Sequence, residues 1–178
     1  MIAISHNHYD HFDINSLRKI QKRFPKVKIL VPKGDLKLLS NYKLENGYEF
    51  VWWESLIVNK TSFTFTPAQH WSARGLRDRN KSLWGSWFTS YNNFNIFHAG
   101  DTGYSDDFVN IKNKLGPTDF AMIPIGAYDP EWFMNYSHVN PEEAINIAKD
   151  LGSKKSVGMH WGTFILTDEP VLLSLIHI

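Results

Sequence analysis

The run Ser5-His6-Asn7-His8-Tyr9-Asp10-His11 sets three imidazoles and one carboxylate within six residues, directly after the apolar stretch Ile2-Ala3-Ile4. Imidazole nitrogens and carboxylate oxygens are the donors that suit Zn²⁺ and similar divalent cations. A strand continued through His6 and His8 would put both rings on one face, because its side chains repeat every two residues. Asp10 and His11 would then sit on the following turn and face a second cation. Four such groups rarely converge without a metal to neutralise them and offset their desolvation. A chance cluster of partly buried histidines is therefore the weaker reading.

Three more candidates share one context, the loop just past an apolar strand. His70 follows Phe65-Thr66-Pro67, Asp101 follows Phe97-His98-Ala99-Gly100, and His160 follows Val157-Gly158-Met159. Gly100 and Gly103 allow a tight turn beside Asp101. Taken singly, a histidine at a strand end is more often structural. Together with the opening run these residues make five His and two Asp, the count needed for two metals with one bridging carboxylate.

Other residues carry weaker signals. His138 lies in a loop with Tyr136; it either donates to a phosphate or leaving group or makes a hydrogen bond at the start of the helix that Pro141 opens. His98, inside an apolar strand, reads as a core histidine. Arg74, Arg77, Arg79 and Lys81 follow His70 closely, with Asp78 among them. They either grip phosphate or form a solvated loop, the second being slightly favoured. Trp132 and Phe133, flanked by Met134, line an acyl-chain entrance or pack in the core; Pro130 and Glu131 suggest a loop there.

The elements that must hold these residues can be read from periodicity. Asp13 caps a helix over 14–24, with Ile14, Leu17, Ile20 and Phe24 as its apolar stripe and Arg18, Lys19, Lys22 and Arg23 on its wet face. Strands are expected at 27–31, 50–53 and 62–66, and a short helix near 34–40. Residues 83–91 and 94–98 flank Asn92-Asn93 as a hairpin. Helices follow at 106–115, capped by Ser105 and ended by Gly116-Pro117, and from Pro141 to about Leu151. Strands at 120–125 and 156–159 complete a mixed α/β pattern of layered sheets with outer helices.

The chain has 178 residues, enough for one domain or part of one. A net charge of +1 gives no global attraction to nucleic acid. The charge is uneven: residues 14–37 hold eight Lys/Arg and one acid, which leaves 11 basic and 17 acidic residues elsewhere. That basic helix face is either an ordinary wet face or a contact for an anionic membrane. There is no Cys, hence no disulfide or thiolate ligand, which fits a reducing compartment. No apolar run approaches the ~20 residues of a membrane span, and no signal-peptide pattern precedes the histidines. The expected location is cytoplasmic, or peripheral to a membrane.

The order H-x-H-x-D-H, lone His, Gly-Asp-Thr, late His resembles the metallo-β-lactamase fold. Further blocks resemble its N-acyl-phosphatidylethanolamine-hydrolysing phospholipase D branch: Thr66-Pro67-Ala68-Gln69-His70-Trp71, Leu83-Trp84-Gly85-Ser86-Trp87, Ala99-Gly100-Asp101-Thr102-Gly103-Tyr104, Ile123-Pro124-Ile125-Gly126-Ala127-Tyr128, Trp132-Phe133-Met134, His138-Val139-Asn140-Pro141-Glu142-Glu143-Ala144 and His160-Trp161-Gly162-Thr163-Phe164. The resemblance implies an αββα sandwich with metals at one edge. It implies that His6, His8 and His70 hold the first metal, that Asp10, His11 and His160 hold the second, and that Asp101 bridges. Two divalent ions are implied, Zn²⁺ first, with Mn²⁺ and Fe²⁺ accepted by the same donors. The implied reaction is attack of a metal-bridging hydroxide on a phospholipid-like phosphodiester, releasing phosphatidic acid and an N-acylethanolamine. Asp10 orients the hydroxide or passes its proton, and His138 is the first non-ligand participant. Alternatives are a hydrolase of the same fold acting on a lactone or sugar phosphate, and an inactive metal-binding fragment. Members of the family carry strands before the histidine run. The expectation is accordingly a partial domain over 1–170 that lacks those N-terminal strands, followed by a divergent tail at 171–178.

Overall fold

Asp13 opens the first helix by accepting the amide hydrogens of Asn15 and Ser16, at 3.3 and 2.8 Å. Those donors would otherwise be left without partners at the helix start. In the computed structural model, which describes residues 1–164 and 167–169, this helix is α1 (Ile14–Arg23). Ile14 and Leu17 are buried, but Ile20 and Phe24 are exposed. Only the first half of α1 lies on the sheet, so the apolar stripe is shorter than the periodicity suggests. Around it come β1 (Ile2–Ala3), β2 (Ile29–Pro32), α2 (Leu36–Asn41) and β3 (Gly47–Phe50). The three strands pair in parallel in the order β1-β2-β3, with α1 and α2 as the crossovers that parallel pairing demands.

A second sheet holds β4 (Ser55–Val58), β5 (Thr61–Thr66), β6 (Ser86–Tyr91), β7 (Phe94–His98), β8 (Phe120–Pro124) and β9 (Ser156–Met159), in that order. Pairing is antiparallel from β4 to β7 and parallel from β7 to β9. Helix α3 (Asp107–Leu115) joins β7 to β8; the single turn α4 (Glu131–Met134) and helix α5 (Pro141–Asp150) join β8 to β9.

Three apolar clusters set the layering. Ile14, Leu17 and Leu39 pack against Ile29 and Val31, which seats α1 and α2 on the first sheet. Leu30, Phe50, Phe65 and Trp87 join the two sheets. Phe108, Ile111, Ala144 and Ile147 cover Phe97, Ala121 and Ile123, which seats α3 and α5 on the second sheet. Leu30 and Val31 are neighbours in β2 and point into different clusters, as strand alternation requires. The result is the expected α/β/β/α sandwich. Each fully buried phenylalanine contributes about 1.5–3 kcal/mol to it.

Two elements differ from the sequence reading. Residues 51–53 turn instead of extending: the Glu54 carboxylate accepts the Val51 amide at 2.9 Å, and Trp53 takes φ 75°. The strand therefore lies earlier, at β3, and the chain re-emerges as β4, which the pattern did not suggest. At residue 130 the expected loop contains the helical turn α4, closed by the Met134 amide on the Pro130 carbonyl at 3.1 Å. The tail at 171–178, including His177, lies outside the described residues. Among the described residues, no helix is long and apolar enough to cross a membrane.

Strands β5, β7, β8 and β9 all run the same way, since β6 is antiparallel to both of its neighbours. Their C-terminal ends therefore gather at one edge, and the segments carrying His70, Asp101, His138 and His160 leave from it.

Candidate metal centre

Strand β1 ends at Ala3, and the Ile4 amide still reaches the Leu30 carbonyl at 2.9 Å. His6 and His8 thus lie beyond the strand, not on it as a period of two would have had them. The chain has already left the sheet to build a turn, in which the amides of His11 and Phe12 converge on the His8 carbonyl at 3.2 and 2.8 Å. The rings meet all the same, with His6 Nε2 2.9 Å from His8 Nδ1.

The loops of His70 and Asp101 are tied together. The Gln69 amide donates to Thr102 Oγ1 at 3.1 Å, and the Gly103 amide donates to the Gln69 carbonyl at 2.8 Å. Gly100 takes φ 65°, which suits a residue without a Cβ. Gly103 is needed for closeness and not for a turn: a Cβ there would lie 2.3 Å from the Tyr136 carbonyl oxygen. Through that contact the loop bearing His138 is drawn against the Asp101 loop. His160 follows β9 in a left-handed conformation, φ 61°, which costs a non-glycine residue about 1–2 kcal/mol.

All seven candidate ligands come together, in two groups that share Asp101. His6, His8, His70 and Asp101 form one; Asp10, His11, Asp101 and His160 form the other. Within each group the donor atoms lie within 4.8 Å of one another. In the first, His70 Nε2 is 3.3 Å from His8 Nδ1, and Asp101 Oδ2 is 3.7 and 3.8 Å from His6 and His70 Nε2. In the second, His11 Nε2 is 3.1 Å from Asp101 Oδ2 and 3.3 Å from Asp10 Oδ2. His160 Nε2 stands 3.4 Å from both Asp10 Oδ2 and Asp101 Oδ1. Four donors around Zn²⁺ at ~2.0–2.1 Å form a tetrahedron with edges of about 3.3 Å, so these separations suit a small cation.

Electrostatics point the same way. Burial pushes His6 and His8 down and His70 down to about 3, which favours the neutral, lone-pair-bearing imidazole. Burial would lower His11 too, but Asp10 and Asp101 outweigh it and raise it to about 10. His160 is raised against its burial by the same two carboxylates. Burial would raise Asp10 and Asp101, yet hydrogen bonds and charge from the surrounding histidines hold both low. This half of the site draws positive charge. Asp101 Oδ1 and His11 Nε2 are also buried without a well-formed hydrogen bond. A divalent cation would satisfy both needs at once.

The second nitrogens of two candidate ligands are anchored, which sets ring orientation. Ser5 Oγ lies 3.0 Å from His6 Nδ1, and His70 Nδ1 lies 3.0 Å from the Ser137 carbonyl. His138 sits beside the cluster, its ring 5.2 Å from His70 and 5.7 Å from His160 between centroids. Its Nδ1 is buried without a partner, and burial lowers its pKa. The cap of α5 belongs instead to Asn140, which forms a reciprocal capping box with Glu143. His98 is half-buried, and its Nδ1 accepts the Gly100 amide at 3.1 Å.

The basic loop divides. Arg77, Arg79 and Lys81 are exposed, and the Arg79 guanidinium lies 4.7 Å from the Trp71 ring centre. Arg74 instead folds back on the opening run, donating from Nη1 to the carbonyls of Asn7 and Phe12, both at 3.0 Å. Asp35 is buried beneath the run and accepts from Asn7 Nδ2 at 3.0 Å. The Asp35 contact has no sequence signal, since 28 residues separate the partners.

A cavity of about 520 Å³ opens on the cluster, walled by Trp71, Met134, Ala73 and Ala127, with Asp10, Asp101, His138 and His160 at its polar end. A second cavity, about 250 Å³, reaches Asp10, His11 and His160 from the side of Trp161 and Phe164. Trp132 and Phe133 do not pack in the core; they are 82% and 68% exposed.

The sequence profile of the Beta-lactamase superfamily domain matches residues 1–161. The chain is 44% identical over 176 residues to the mitochondrial N-acyl-phosphatidylethanolamine-hydrolyzing phospholipase D of Saccharomyces cerevisiae, covering 95% of this chain and 37% of that protein. It is 41% identical over 172 residues to N-acyl-phosphatidylethanolamine-hydrolyzing phospholipase D 1 of Caenorhabditis elegans, covering 91% and 48%. The chain thus spans less than half the length of these two relatives. Among solved structures, Igni18, a metallo hydrolase from Ignicoccus hospitalis, superposes with a TM-score of 0.71 at 23% identity, over 91% of this chain and 64% of that one. Two packed sheets with outer helices, a His/Asp cluster at one edge and a profile match over residues 1–161 agree: the chain belongs to the beta-lactamase superfamily and has the metallo-β-lactamase fold.

Proposed function

We propose that this chain carries the catalytic centre of a two-metal phosphodiesterase of the phospholipase D type, acting on N-acyl-phosphatidylethanolamine. The observation that carries the metal half is the pair of four-residue groups sharing Asp101. His6, His8, His70 and Asp101 would hold one divalent cation, Asp10, His11, His160 and Asp101 the other. Zn²⁺ is the first choice for a site of five imidazoles and two carboxylates. Bound there, two such cations supply Lewis acidity that polarises a phosphoryl oxygen and makes hydroxide available near neutral pH.

The chain's own residues account for positioning and proton handling. Asp10, kept ionised by His11 and His160, would accept a hydrogen bond from the attacking water and so fix its direction. His138 lines the larger cavity and is held neutral by burial. It donates a hydrogen bond to a phosphoryl oxygen or to the departing alkoxide. Trp71, Ala73 and Met134 exclude water from the apolar side of the phosphodiester. The lipid half of the reading is supported by the names of the two relatives and by exposed aromatics in the segment that supplies Met134 and His138 to the cavity. In that segment Trp132, Phe133 and Tyr136 are 82%, 68% and 62% exposed. Apolar bodies with exposed aromatic edges suit a membrane interface. The exposed basic side chains of α1 and of Arg77 and Arg79 add attraction to anionic headgroups.

Elemental analysis after refolding with Zn²⁺ should find two cations per chain. The loaded protein should release N-acylethanolamine from the lipid faster than it opens a lactone or cleaves a bis-aryl phosphate. Turnover of the lactone or the aryl ester with none of the lipid removes the lipid assignment and leaves a hydrolase of other substrate. Absence of bound metal removes the catalytic reading altogether.

A further inference from the structure

Arg74 is bound at both of its ends. Its backbone amide donates to both carboxylate oxygens of Asp78, at 3.2 and 3.1 Å, and the Gly75 amide joins at 2.8 Å. Its loop is closed further by Ser72 Oγ on the Ser82 carbonyl at 2.6 Å. At the other end, one guanidinium nitrogen bridges the carbonyls of Asn7 and Phe12. The guanidinium carbon lies 4.0 Å from the centre of the Tyr9 ring, and Tyr9 Oη returns a hydrogen bond to the Arg74 carbonyl at 2.9 Å. Asn7 and Phe12 bracket His8, Asp10 and His11. The side chain thus closes the turn as a strap would, across its open end.

Of the candidate ligands inside this bracket, Asp10 and His11 belong to the second group and His8 alone to the first. In the first, His6 is fixed by Ser5, His70 by Ser137, and the run itself by Asp35 through Asn7. In the second, Asp10 and His11 contact one another, Asp101 and His160. The His11 ring also lies 4.2 Å from that of His6. Among the described residues neither side chain has a hydrogen-bonding anchor outside the ligand cluster, so the turn they stand on sets their place. A planar guanidinium both stacks on Tyr9 and donates in the plane to two carbonyls; an ammonium cannot do both.

We propose that Arg74 is a positioning residue for the second cation: it sets where Asp10 and His11 stand relative to Asp101 and His160. The proposal rests on the two-cation reading of the site. It is tested by titrating the full chain, and its Arg74→Lys and Tyr9→Phe variants, with Zn²⁺ against a competing chelator. Metal content is read by elemental analysis and folding by circular dichroism. Arg74→Lys should bind the first Zn²⁺ as the unsubstituted chain does and the second about 10–100-fold more weakly, the range seen when a group orienting a ligand is removed. Tyr9→Phe, which keeps the stacking and loses one hydrogen bond, should weaken the second step by less. A merely structural Arg74 would weaken both steps alike, and that outcome overturns the proposal, as does a variant that binds both cations unchanged. If the unsubstituted chain takes up fewer than two Zn²⁺, the two-cation reading itself fails and the proposal with it.

Discussion

Asp35 is a carboxylic acid at 1% exposure beneath the histidine run. Burial raises its pKa to about 6, against smaller opposing hydrogen bonds from Ser82 and Asn7. In the unfolded chain the same group ionises at its ordinary value of 3.8. A raised acid favours the folded state only while both states are protonated. Stability should therefore fall as pH rises from about 4 to 6 and level off above, by about 3 kcal/mol at 1.36 kcal/mol per unit. Urea denaturation of the wild type and of Asp35→Asn, compared across pH 4–7, isolates this group because other titrations cancel in the difference. Parallel curves would refute the assignment. What this residue does was hidden in the sequence, whereas the seven ligand candidates were legible by type and by their places after apolar strands. A ligand must be one of a few chemical kinds. A supporting contact, such as Asp35 to Asn7 or Arg74 to two backbone carbonyls, depends on where the chain happens to pass.

At the scale of elements, the loop 135–138 is positioned by contact with a glycine instead of by its own structure. A Cβ on Gly103 would lie 2.3 Å from the Tyr136 carbonyl and 2.8 Å from that of Asn135, both backbone atoms. Gly103→Ala should push that loop away, take the Ser137 carbonyl from His70 and move His138. A loss of about 1–3 kcal/mol is expected from overpacking, measured by chemical denaturation. An unchanged midpoint would mean that the loop yields without cost. Helices α1 and α5 were readable because Asp13 and Pro141 announce their starts, whereas the Asn140 cap of α5 appears only in the structure. Strand β4 was not. Its hairpin to β5 turns through Asn59 and Lys60, both at positive φ, 49° and 66°. Without the glycine that usually marks such a turn, the sequence gives little sign of it.

For the whole molecule, the site joins segments that are remote in the chain. Asp10 and His160 are 150 residues apart, and closing a loop of that length costs on the order of 4 kcal/mol in chain entropy. Strand β9, which leads into His160, pairs only with β8 among the described residues. Stripping metal with a chelator should lower the melting temperature, since ligands that bind only the folded state stabilise it. Hydrogen exchange should then show β9 losing protection before β5, β6 and β7 do; a uniform loss would contradict this. On the two-cation reading, the division of the candidate ligands also sets an order in time. The first group is complete once residue 101 has been synthesised, whereas the second waits for residue 160. A nascent chain built this way has the donors for one cation in hand before β9, the last strand among the described residues, leaves the ribosome. Capture of the second cation then reports the docking of β9 on β8, so that metal loading and one step of folding become a single event.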